Sequence, residues 1–438
     1  MAQDATTQDS DDDDFIPLDA VGKESVGGPE EKNVEVGSGN KPPWYRESSM
    51  HRGYPYKSLH NEVLDFCDMV LPTPEEREQT AKALAFVKEA VRGVFGSLAR
   101  VEVFGSQLTG LALPSSDLDV VVLGGGHMAM ALIAKIMRRH GGAGTVSNVQ
   151  VINAKVPLVK FVHVSTERQV DICFDQESGL ESGEAAKVLM RQMPPVRPLL
   201  MVLKLYLAQR AMNETYIGFV GSFLLQLMVV ALVQRCGRKA CAEGRQPPTN
   251  LGYLLDEFFD FYGNKMNFAA TGITLLGKGG GGFFPKEQFG WLIPNKPFTM
   301  SVQNPHDPTV DVGANSYKIL EVQQSFRATS ARLKAAFQRT ASSGRVGSLL
   351  QYVLHPSSDL VARDLPPPLF TTKMFDGKYT EALCEDDWNC WGRNDGERTE
   401  RSFPYMRGST SVSGAWRMRA ARTTCPSSTR LPPTEVEQ

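Results

Sequence analysis

The chain has 438 residues, and its 47 Lys and Arg residues nearly balance 49 Asp and Glu residues, which gives a formal net charge of −2 at pH 7. This length allows two or three domains with buried cores. The balanced charge excludes a globally basic surface, so any nucleic-acid binding must be local. Seven cysteines without a C-x-x-C pair or Cys/His zinc spacing indicate reduced thiols rather than a disulfide framework.

The N-terminal region is acidic and poor in large apolar residues. We expect residues 1–42 to form a disordered acidic tail, because they are rich in Asp, Glu, Gly and Ser. The run at 11–14 is opposite in charge to the basic stretch of a signal or transit peptide.

The most apolar segment is Phe219 to Val233. It is shorter than the roughly 18 to 20 residues that a membrane-spanning helix needs. We therefore expect a buried helix there and no membrane association.

Two helices are expected before the first strand. Apolar residues recur at helical spacing from Tyr56 to Val70. Thr73-Pro74-Glu75-Glu76 then combines an N-cap, a proline at the first helical position and a capping-box glutamate. This pattern predicts a second helix that continues to about Phe95.

The remaining elements change in type along the chain. β-branched and apolar runs predict strands at Arg100–Phe104, Leu118–Leu123, Val156–Val164 and Gln169–Phe174, with a helix at Met128–Arg139. Longer apolar spacing then predicts helices at Val196–Asn213, Ser222–Arg235, Leu251–Tyr262 and Ser316–Phe337. A mixed sheet followed by helices indicates an α+β fold with a second, mostly α-helical domain.

An alternating pair of carboxylates follows a small turn. Asp117 and Asp119 are spaced i and i+2 around an apolar strand, so both side chains point to the same face. Carboxylate oxygens suit Mg²⁺ or Mn²⁺, and the preceding Gly105-Ser106 turn would let phosphate oxygens approach its backbone N–H groups. A calcium loop or a satisfied surface pair is the alternative, because D-x-D occurs often by chance.

A third carboxylate favours the metal interpretation. Asp171 lies in the apolar run Val170 to Phe174, where an unpaired charge would be costly. If its strand lies beside the strand of Asp119, three carboxylates converge as ligands of a two-metal site. Such a site catalyses phosphoryl transfer from a nucleoside triphosphate.

Three residues further along the chain are candidates for triphosphate binding. Lys204 is the single charge in the apolar run from Pro198 to Ala208, and Ser222 opens the next helix, whose N-terminus attracts anions. Phe223 could stack on the base. The alternatives are a lysine that extends to the surface, an ordinary helix cap and a core phenylalanine.

At this point the sequence resembles the DNA polymerase β-like nucleotidyltransferases, and among them the non-canonical poly(A) polymerases of the nuclear RNA-surveillance type. The resemblance covers about residues 50–340. The motifs that carry it are 104–106 with 117–119, 170–172, 218–223, 250–263 and 298–305.

The resemblance implies how the chain divides into domains. An N-terminal helix at 43–72 packs on the central domain. A nucleotidyltransferase catalytic domain with a mixed sheet and helices spans 73–176, and a mostly α-helical central, nucleotide-recognition domain spans 177–350. NTP binds between them. Outside the resemblance, the Pro-, Ser- and Arg-rich composition predicts a largely disordered tail at 357–438.

The resemblance also implies functional residues, with three departures from the family pattern. Ser178-Gly179 stands where Asn-Gly is usual near the ribose. Ala208 replaces a second basic residue, leaving Arg210 as a substitute. In the nucleotide-recognition loop, Val310 precedes Asp311 where uridylyl-transferring relatives often carry histidine, which favours ATP.

The expected activity is therefore template-independent, two-metal addition of AMP from ATP to RNA 3′ ends, in RNA surveillance or processing. The alternatives are a terminal uridylyltransferase and a non-catalytic scaffold. His306, close to the recognition loop, is expected to be a plain loop residue. Expected partners are RNA, a zinc-knuckle RNA-binding protein and an RNA helicase, and the expected compartment is the nucleus, with the cytoplasm as the alternative.

Two further segments invite functional interpretations. Gly277-Lys278 and the glycines after it lack the spacing of a phosphate-binding loop, so a flexible turn is expected. The arginine-rich stretch from Arg393 to Arg430 could contact RNA, although disorder without RNA contact is the preferred interpretation.

Overall fold

The fold is given by a computed structural model that describes residues 41–126, 128–153, 156–275, 282–343 and 347–366. Residues 1–40 of the acidic N-terminal tail, the glycine run at 277–281 and the arginine-rich stretch lie outside the described residues.

A mixed five-stranded sheet forms the first layer. Its strands are β1 (Arg100–Val103), β2 (Leu118–Leu123), β3 (Val146–Ile152), β4 (Leu158–His163) and β5 (Arg168–Phe174). They lie in the order β1, β2, β5, β4, β3. β2 and β5 are parallel neighbours, and the other pairs are antiparallel.

Helices surround the sheet and form a second part of the structure. They are α1 (Pro55–Val70), α2 (Pro74–Phe95), α3 (Gly105–Thr109), α4 (Ala129–Gly142), α5 (Glu177–Gln192), α6 (Val196–Ala208), α7 (Ser222–Ala242), α8 (Leu251–Asp260), α9 (Ile319–Ser343) and α10 (Ser358–Val361). An antiparallel hairpin, β6 (Thr271–Thr274) and β7 (Gly282–Pro285), follows α8. The α+β fold class is confirmed.

Helix α2 begins where the sequence predicts. Thr73 Oγ1 accepts a hydrogen bond from the Glu76 N–H at 3.2 Å, and Glu76 Oε2 accepts one from the Thr73 N–H at 2.9 Å. This reciprocal pair is the predicted capping box, and it satisfies two amide donors that would otherwise lack partners at the helix start.

The two faces of the sheet have different neighbours. Leu118, Val120 and Val122 are buried in one apolar cluster with residues of α2 and α4. Val121 lies on the opposite face, where Phe104 and Leu180 of α5 cover it. Since side chains alternate along a strand, Asp119 shares the face of Val121 and points away from the first cluster.

A larger apolar core holds the helical part together. It joins α1, α6, α7, α8 and α9 around fully buried aromatic residues, among them Phe66, Tyr206, Phe258 and Phe326. The Tyr206 hydroxyl is satisfied by hydroxyl partners on α9 at 2.7 and 2.9 Å. Helix α1 packs on α8 and α6, so the N-terminal helix belongs to this core.

The segment 347–366, the C-terminal strap, crosses back over the N-terminal helices. Buried Glu62 on α1 accepts hydrogen bonds from the N–H groups of Leu349 and Leu350 at 2.7 and 3.0 Å. Arg363 donates to the carbonyls of Met69 and Leu71 and pairs with the carboxylate of Glu76.

The first residues of the predicted C-terminal tail belong to the described structure. The sequence predicts a largely disordered tail from residue 357, whereas 358–366 are ordered with α10. Burial of Leu360 in the helical core and the contacts of Arg363 explain the difference.

Most predicted elements are confirmed with shifts of a few residues at their ends, but α6 ends at Ala208 rather than near Asn213. The sequence analysis missed β3, α3 and the hairpin, and the helical spacing in the sequence begins only at Ala185, within α5. None of the described helices is long and apolar enough to cross a membrane.

Candidate active site

The sheet register brings the three predicted aspartates to one place. Asp119 of β2 lies directly opposite Asp171 of the parallel strand β5. Asp117 immediately precedes β2, and its Oδ2 accepts a hydrogen bond from Gln169 Nε2 of β5 at 3.0 Å. The condition set by the sequence, that the two aspartate strands are neighbours, is met.

Burial and mutual repulsion leave this cluster electronegative. Burial, followed by the charges of Asp171 and Asp117, raises the pKa of Asp119 to about 7. Burial, followed by the charge of Asp171, also raises the pKa of Asp117. Both shifts have the sign expected for buried carboxylates close to like charges, which Lys160 and Lys204 offset only in part.

Asp171 has one satisfied and one unsatisfied oxygen. Its Oδ2 lies 2.6 Å from Nζ of Lys160 on β4. Its Oδ1 is buried and has no hydrogen-bond partner. A buried acceptor without a partner is costly, so this atom suits a ligand that the protein itself does not supply.

The donor set suits a hard divalent cation. Among the described residues, no group of three or more His, Cys, Asp or Glu is placed to hold a metal ion as it stands. The three carboxylates, the raised pKa values of Asp117 and Asp119 and the unpartnered Oδ1 of Asp171 nevertheless fit Mg²⁺ or Mn²⁺ by chemistry. Asp117, Asp119 and Asp171 are the residues that could hold it.

The turn before α3 is fitted to Asp119. Gly105 has φ of +62°, and a Cβ at this position would lie 2.3 Å from Asp119 Oδ2. The backbone N–H of Ser106 donates a hydrogen bond to the Asp119 carboxylate. A residue with a side chain would collide with the carboxylate, so glycine is required here.

Asp117 and Asp119 border a cleft of about 520 Å³ between the sheet and the helical part, while Asp171, beside Asp119 on β5, is not among its lining residues. Residues from both sides line it: Phe104, Gly105, Ser106, Thr109, Leu113, Ser115, Ser116, Asp117, Asp119, Ser178, Gly179, Ser182, Gly183, Lys204, Leu207, Ala208, Asn213, Val220, Ser222, Phe223, Leu225 and Gln226. Most of the candidate residues therefore share one cavity of a size suited to a small-molecule ligand.

Lys204 reaches the cleft from α6. Its Nζ donates a hydrogen bond to the Leu111 carbonyl at 2.8 Å. Burial lowers its pKa to about 8, while the charge of Asp119 acts in the opposite direction. The lysine does not extend to the surface, so an inward-pointing cation stands beside the aspartates.

Helix α7 begins at the wall of the cleft. Ser222 is its first residue and is exposed, so the helix N-terminus offers N–H groups and a positive dipole end to an anion. Phe223 lines the cleft and also packs partly against the helical core. Its ring is therefore available to a ligand while it is held by the core.

Ser178 and Gly179 lie in the first turn of α5, which the sequence analysis did not extend this far. A Cβ on Gly179 would lie 3.1 Å from the Phe104 ring. A Cβ on Gly183, one turn later, would lie even closer to Leu108. The small residues let α5 pack tightly against α3 and bring its N-terminal turn to the cleft.

Asp311 is placed differently from the other candidates. Its Oδ1 accepts hydrogen bonds from the N–H groups of Val302 and Gly313 at 2.9 and 2.8 Å. It does not line the cleft defined by the described residues. The contacts seen here organise the loop, and a role in nucleotide binding stays a prediction.

The remaining family positions are also resolved in the structure. Ala208 lines the cleft, whereas Arg210 stacks on the Tyr206 ring with Cζ 3.8 Å from the ring centroid. Val310 is 44% exposed. The backbone N–H of His306 donates to Asn304 Oδ1 within the loop.

Sequence reasoning missed Lys160 and Gln169. A lone lysine in the apolar strand β4 was the available signal, but its meaning depends on which strand lies beside it. Lys160 is opposite Asp171 in the register of β4 and β5. Only the strand pairing identifies it as a neighbour of the aspartates.

Two family models match the chain. Residues 59–188 match the central palm domain of the mitochondrial-like poly(A) RNA polymerases, and residues 250–310 match the Cid1 family of poly A polymerases. The first match covers the strands with the aspartates. The second ends at residue 310, immediately before Asp311.

Several proteins are similar in sequence. Poly(A) RNA polymerase cid14 of Schizosaccharomyces pombe is 34% identical over 291 residues, which are 65% of this chain and 41% of the relative. Trf4-2 of Drosophila melanogaster, described as an inactive non-canonical poly(A) RNA polymerase, is 31% identical over 69% of this chain and 74% of its own length. The chain spans less than half the length of its fungal relatives, at 41%, 43% and 48%.

Solved structures share the architecture. The polymerase core of TRAMP, an RNA surveillance complex, has a TM-score of 0.64 and 25% identity over 72% of this chain and 100% of its own. The Cid1 poly(U) polymerase has a TM-score of 0.52 at 20% identity over 63% of this chain and 94% of its own, which supports the fold alone. From these matches, the chain belongs to the non-canonical poly(A) RNA polymerases of the nucleotidyltransferase superfamily.

Proposed function

We propose that the chain is a template-independent nucleotidyltransferase that adds AMP from ATP to RNA 3′ ends. The observation that carries this proposal is the pairing of Asp119 with Asp171 across two parallel strands, at a cleft that also contains Lys204 and the N-terminus of α7. The names of the relatives as poly(A) RNA polymerases support the same chemistry.

Each residue of the site has a proposed role that follows from its chemistry. Divalent cations on the three aspartates would activate the attacking hydroxyl and neutralise charge on the triphosphate. Lys204 and the N–H groups at Ser222 suit the β- and γ-phosphates, because both supply positive charge to anionic oxygens. Phe223 offers an aromatic face to the base.

Two residues near the aspartates act on position rather than charge. The Ser106 N–H fixes the Asp119 carboxylate by a hydrogen bond. Because Gly105 has no side chain, space is left for that carboxylate. Asp171 is the carboxylate that we assign to deprotonation of the RNA 3′ hydroxyl. Such fixed geometry lets a site hold its reacting groups in line without reorganisation.

The choice of base is the finer part of the proposal. The valine at 310, where uridylyl-transferring relatives often carry histidine, favours ATP. The competing candidate is UTP, and its support is the likeness to Cid1 structures described for UTP selectivity, which is a likeness of fold.

A non-catalytic role is the third candidate, because one similar protein is described as inactive. The presence of all three aspartates in one electronegative cluster argues against it here. In a non-catalytic chain, the repulsion between these carboxylates would serve no function.

The proposal extends to partners and compartment. A likeness to the polymerase core of an RNA surveillance complex supports action on RNA together with other proteins. We propose a zinc-knuckle RNA-binding protein and an RNA helicase as those partners, and the nucleus as the compartment. Pull-down of this chain followed by identification of the bound proteins tests both classes of partner.

Primer extension with each nucleotide tests the activity and the base together. The full chain is incubated with an RNA primer, Mg²⁺ or Mn²⁺ and one NTP at a time. We expect extension with ATP that exceeds extension with UTP, CTP or GTP, and none by the Asp117→Ala/Asp119→Ala double variant. Faster extension with UTP would replace the adenylyl assignment, and equal extension by the double variant would refute the active site.

A further inference from the structure

Lys160 is a cation that stands beside the aspartates without belonging to the phosphate-binding side of the cleft. It lies on β4, opposite Asp171 of β5, and Asp171 lies opposite Asp119 of β2. The three side chains therefore form a row across neighbouring strands on one face of the sheet. Lys160 approaches this row from the side opposite to β2.

The contact of Lys160 with Asp171 is selective for one oxygen. Nζ lies 2.6 Å from Oδ2, while Oδ1 is buried without a partner. The lysine side chain is 30% exposed and the aspartate 16% exposed. The ammonium thus fixes the orientation of the carboxylate and leaves the second oxygen for another ligand.

A fixed positive charge at this position has an electrostatic consequence. An ammonium that already neutralises one carboxylate of a cluster lowers the attraction of that cluster for a second cation. The effect decreases only slowly with distance in a partly buried site, because salt screens such charges less than exposed ones.

We propose that Lys160 is a positioning residue that orients Asp171 and limits the affinity of Asp117, Asp119 and Asp171 for divalent cations. The inference rests on the proposed function, since it assigns the three aspartates to metal binding. Its consequence is that the cluster holds a cation weakly by itself and needs the phosphate oxygens of the incoming nucleotide as additional ligands. Metal binding and nucleotide binding are thereby coupled.

The test measures Mn²⁺ binding to the full chain by isothermal titration calorimetry at fixed pH without nucleotide. In K160M and K160Q the charge is removed, and in K160R it is kept. We expect K160M and K160Q to bind Mn²⁺ at least about tenfold more tightly than wild type, and K160R to stay within about twofold, because a unit charge at this range is worth more than one decade of affinity. A lysine with a merely structural role would leave the affinity unchanged or weaken it.

Lys82 provides a matched control. It is an exposed lysine that pairs with Glu78 at 2.8 Å on α2, so K82M removes the same charge away from the aspartates and should leave Mn²⁺ affinity unchanged. K160Q keeps an amide donor for Asp171, and a circular dichroism melt identifies any variant that does not fold.

The outcomes separate the inference from the proposed function. Equal or weaker Mn²⁺ binding by folded K160M and K160Q, with measurable binding by wild type, would overturn the role of Lys160 alone. Absence of Mn²⁺ binding by wild type and all variants, even with ATP present, would overturn the metal site itself and the inference with it.

Discussion

Replacing Gly105 by alanine tests whether the turn before α3 is built around the carboxylate of Asp119. An added Cβ would lie 2.3 Å from Asp119 Oδ2, and Cβ atoms essentially never approach other atoms closer than 3.0 Å. The carboxylate must therefore move by at least 0.7 Å, the difference between these distances. A displacement of about 1 Å at a reacting centre can lower the rate by about 10²-fold.

The same substitution also carries a backbone cost. Gly105 has φ of +62°, and an L-residue in the left-handed region costs roughly 1–2 kcal/mol. We expect Gly105→Ala to lower the free energy of unfolding by about that amount, measured by urea denaturation. In the primer-extension assay, we expect kcat/KM for ATP to fall by about 10²-fold.

Gly96→Ala separates the two effects. Gly96 has φ of +59° at the end of α2, and a Cβ there would meet nothing within 4 Å. Because its ψ of −125° also lies outside the αL basin, this control should lose at least as much stability and keep the activity of the wild type. If Gly105→Ala retained activity within about threefold of Gly96→Ala, the fit between the turn and Asp119 would not matter for function.

Three further variants test other parts of the structure. Burial raises the pKa of Glu62 from 4.5 to about 7, so the folded state binds more protons than the unfolded state between these pH values. The free energy of unfolding should therefore fall by up to about 3 kcal/mol as the pH rises from 4.5 to 7. Glu62→Gln should remove this pH dependence in urea denaturation at pH 5 and 7.5, and an unchanged dependence would contradict the assignment. Arg363→Ala, which removes the pair with Glu76, should cost about 1–3 kcal/mol, and a midpoint equal to that of wild type would show that the strap adds no stability. Because the pKa of Lys204 is lowered to about 8, its side chain is charged below pH 7 and loses its proton as the pH rises past 8. Wild type should therefore exceed Lys204→Met about tenfold in kcat/KM for ATP below pH 7, and this advantage should disappear above pH 8. A constant ratio from pH 6.5 to 9 would exclude a role for the ammonium charge.

The sequence was most informative where side chains repeat with a fixed period. Alternation along β2 puts Asp119 on one face regardless of the rest of the fold, and the spacing Thr73 to Glu76 defines a helix start through local hydrogen bonds alone. Both predictions are confirmed because they depend only on residues that are close together in the sequence. The convergence with Asp171 could be stated only as a condition, since strand order is set by tertiary packing.

The missed elements depend on contacts that are distant in sequence. β3 is an edge strand of the sheet with alternating polar residues and a positive φ at Asn148, which weakens its signal. The first turns of α5 contain Gly179 and Gly183, poor helix formers that are required for close packing on Phe104 and Leu108. Helix propensity therefore disfavours the first turns of α5, although tertiary contacts stabilise them.

Part of the site was out of reach of sequence reasoning for the same reason. Lys160 gains its meaning from the pairing of β4 with β5. Arg363 acts on residues almost 300 positions earlier in the chain, with separations of 287 to 294. No local pattern encodes either contact.

Asp171→Asn tests the central claim most directly, because it removes one charge of the three-aspartate cluster while it keeps the shape of the side chain. ATP-dependent extension of an RNA primer is measured for this variant and wild type at saturating ATP and Mg²⁺, with a thermal melt of each. We predict a loss of at least about 10³-fold in kcat with the fold retained, as for the removal of an essential group. Activity of the folded variant within tenfold of wild type would contradict the assignment of this cluster as the catalytic centre.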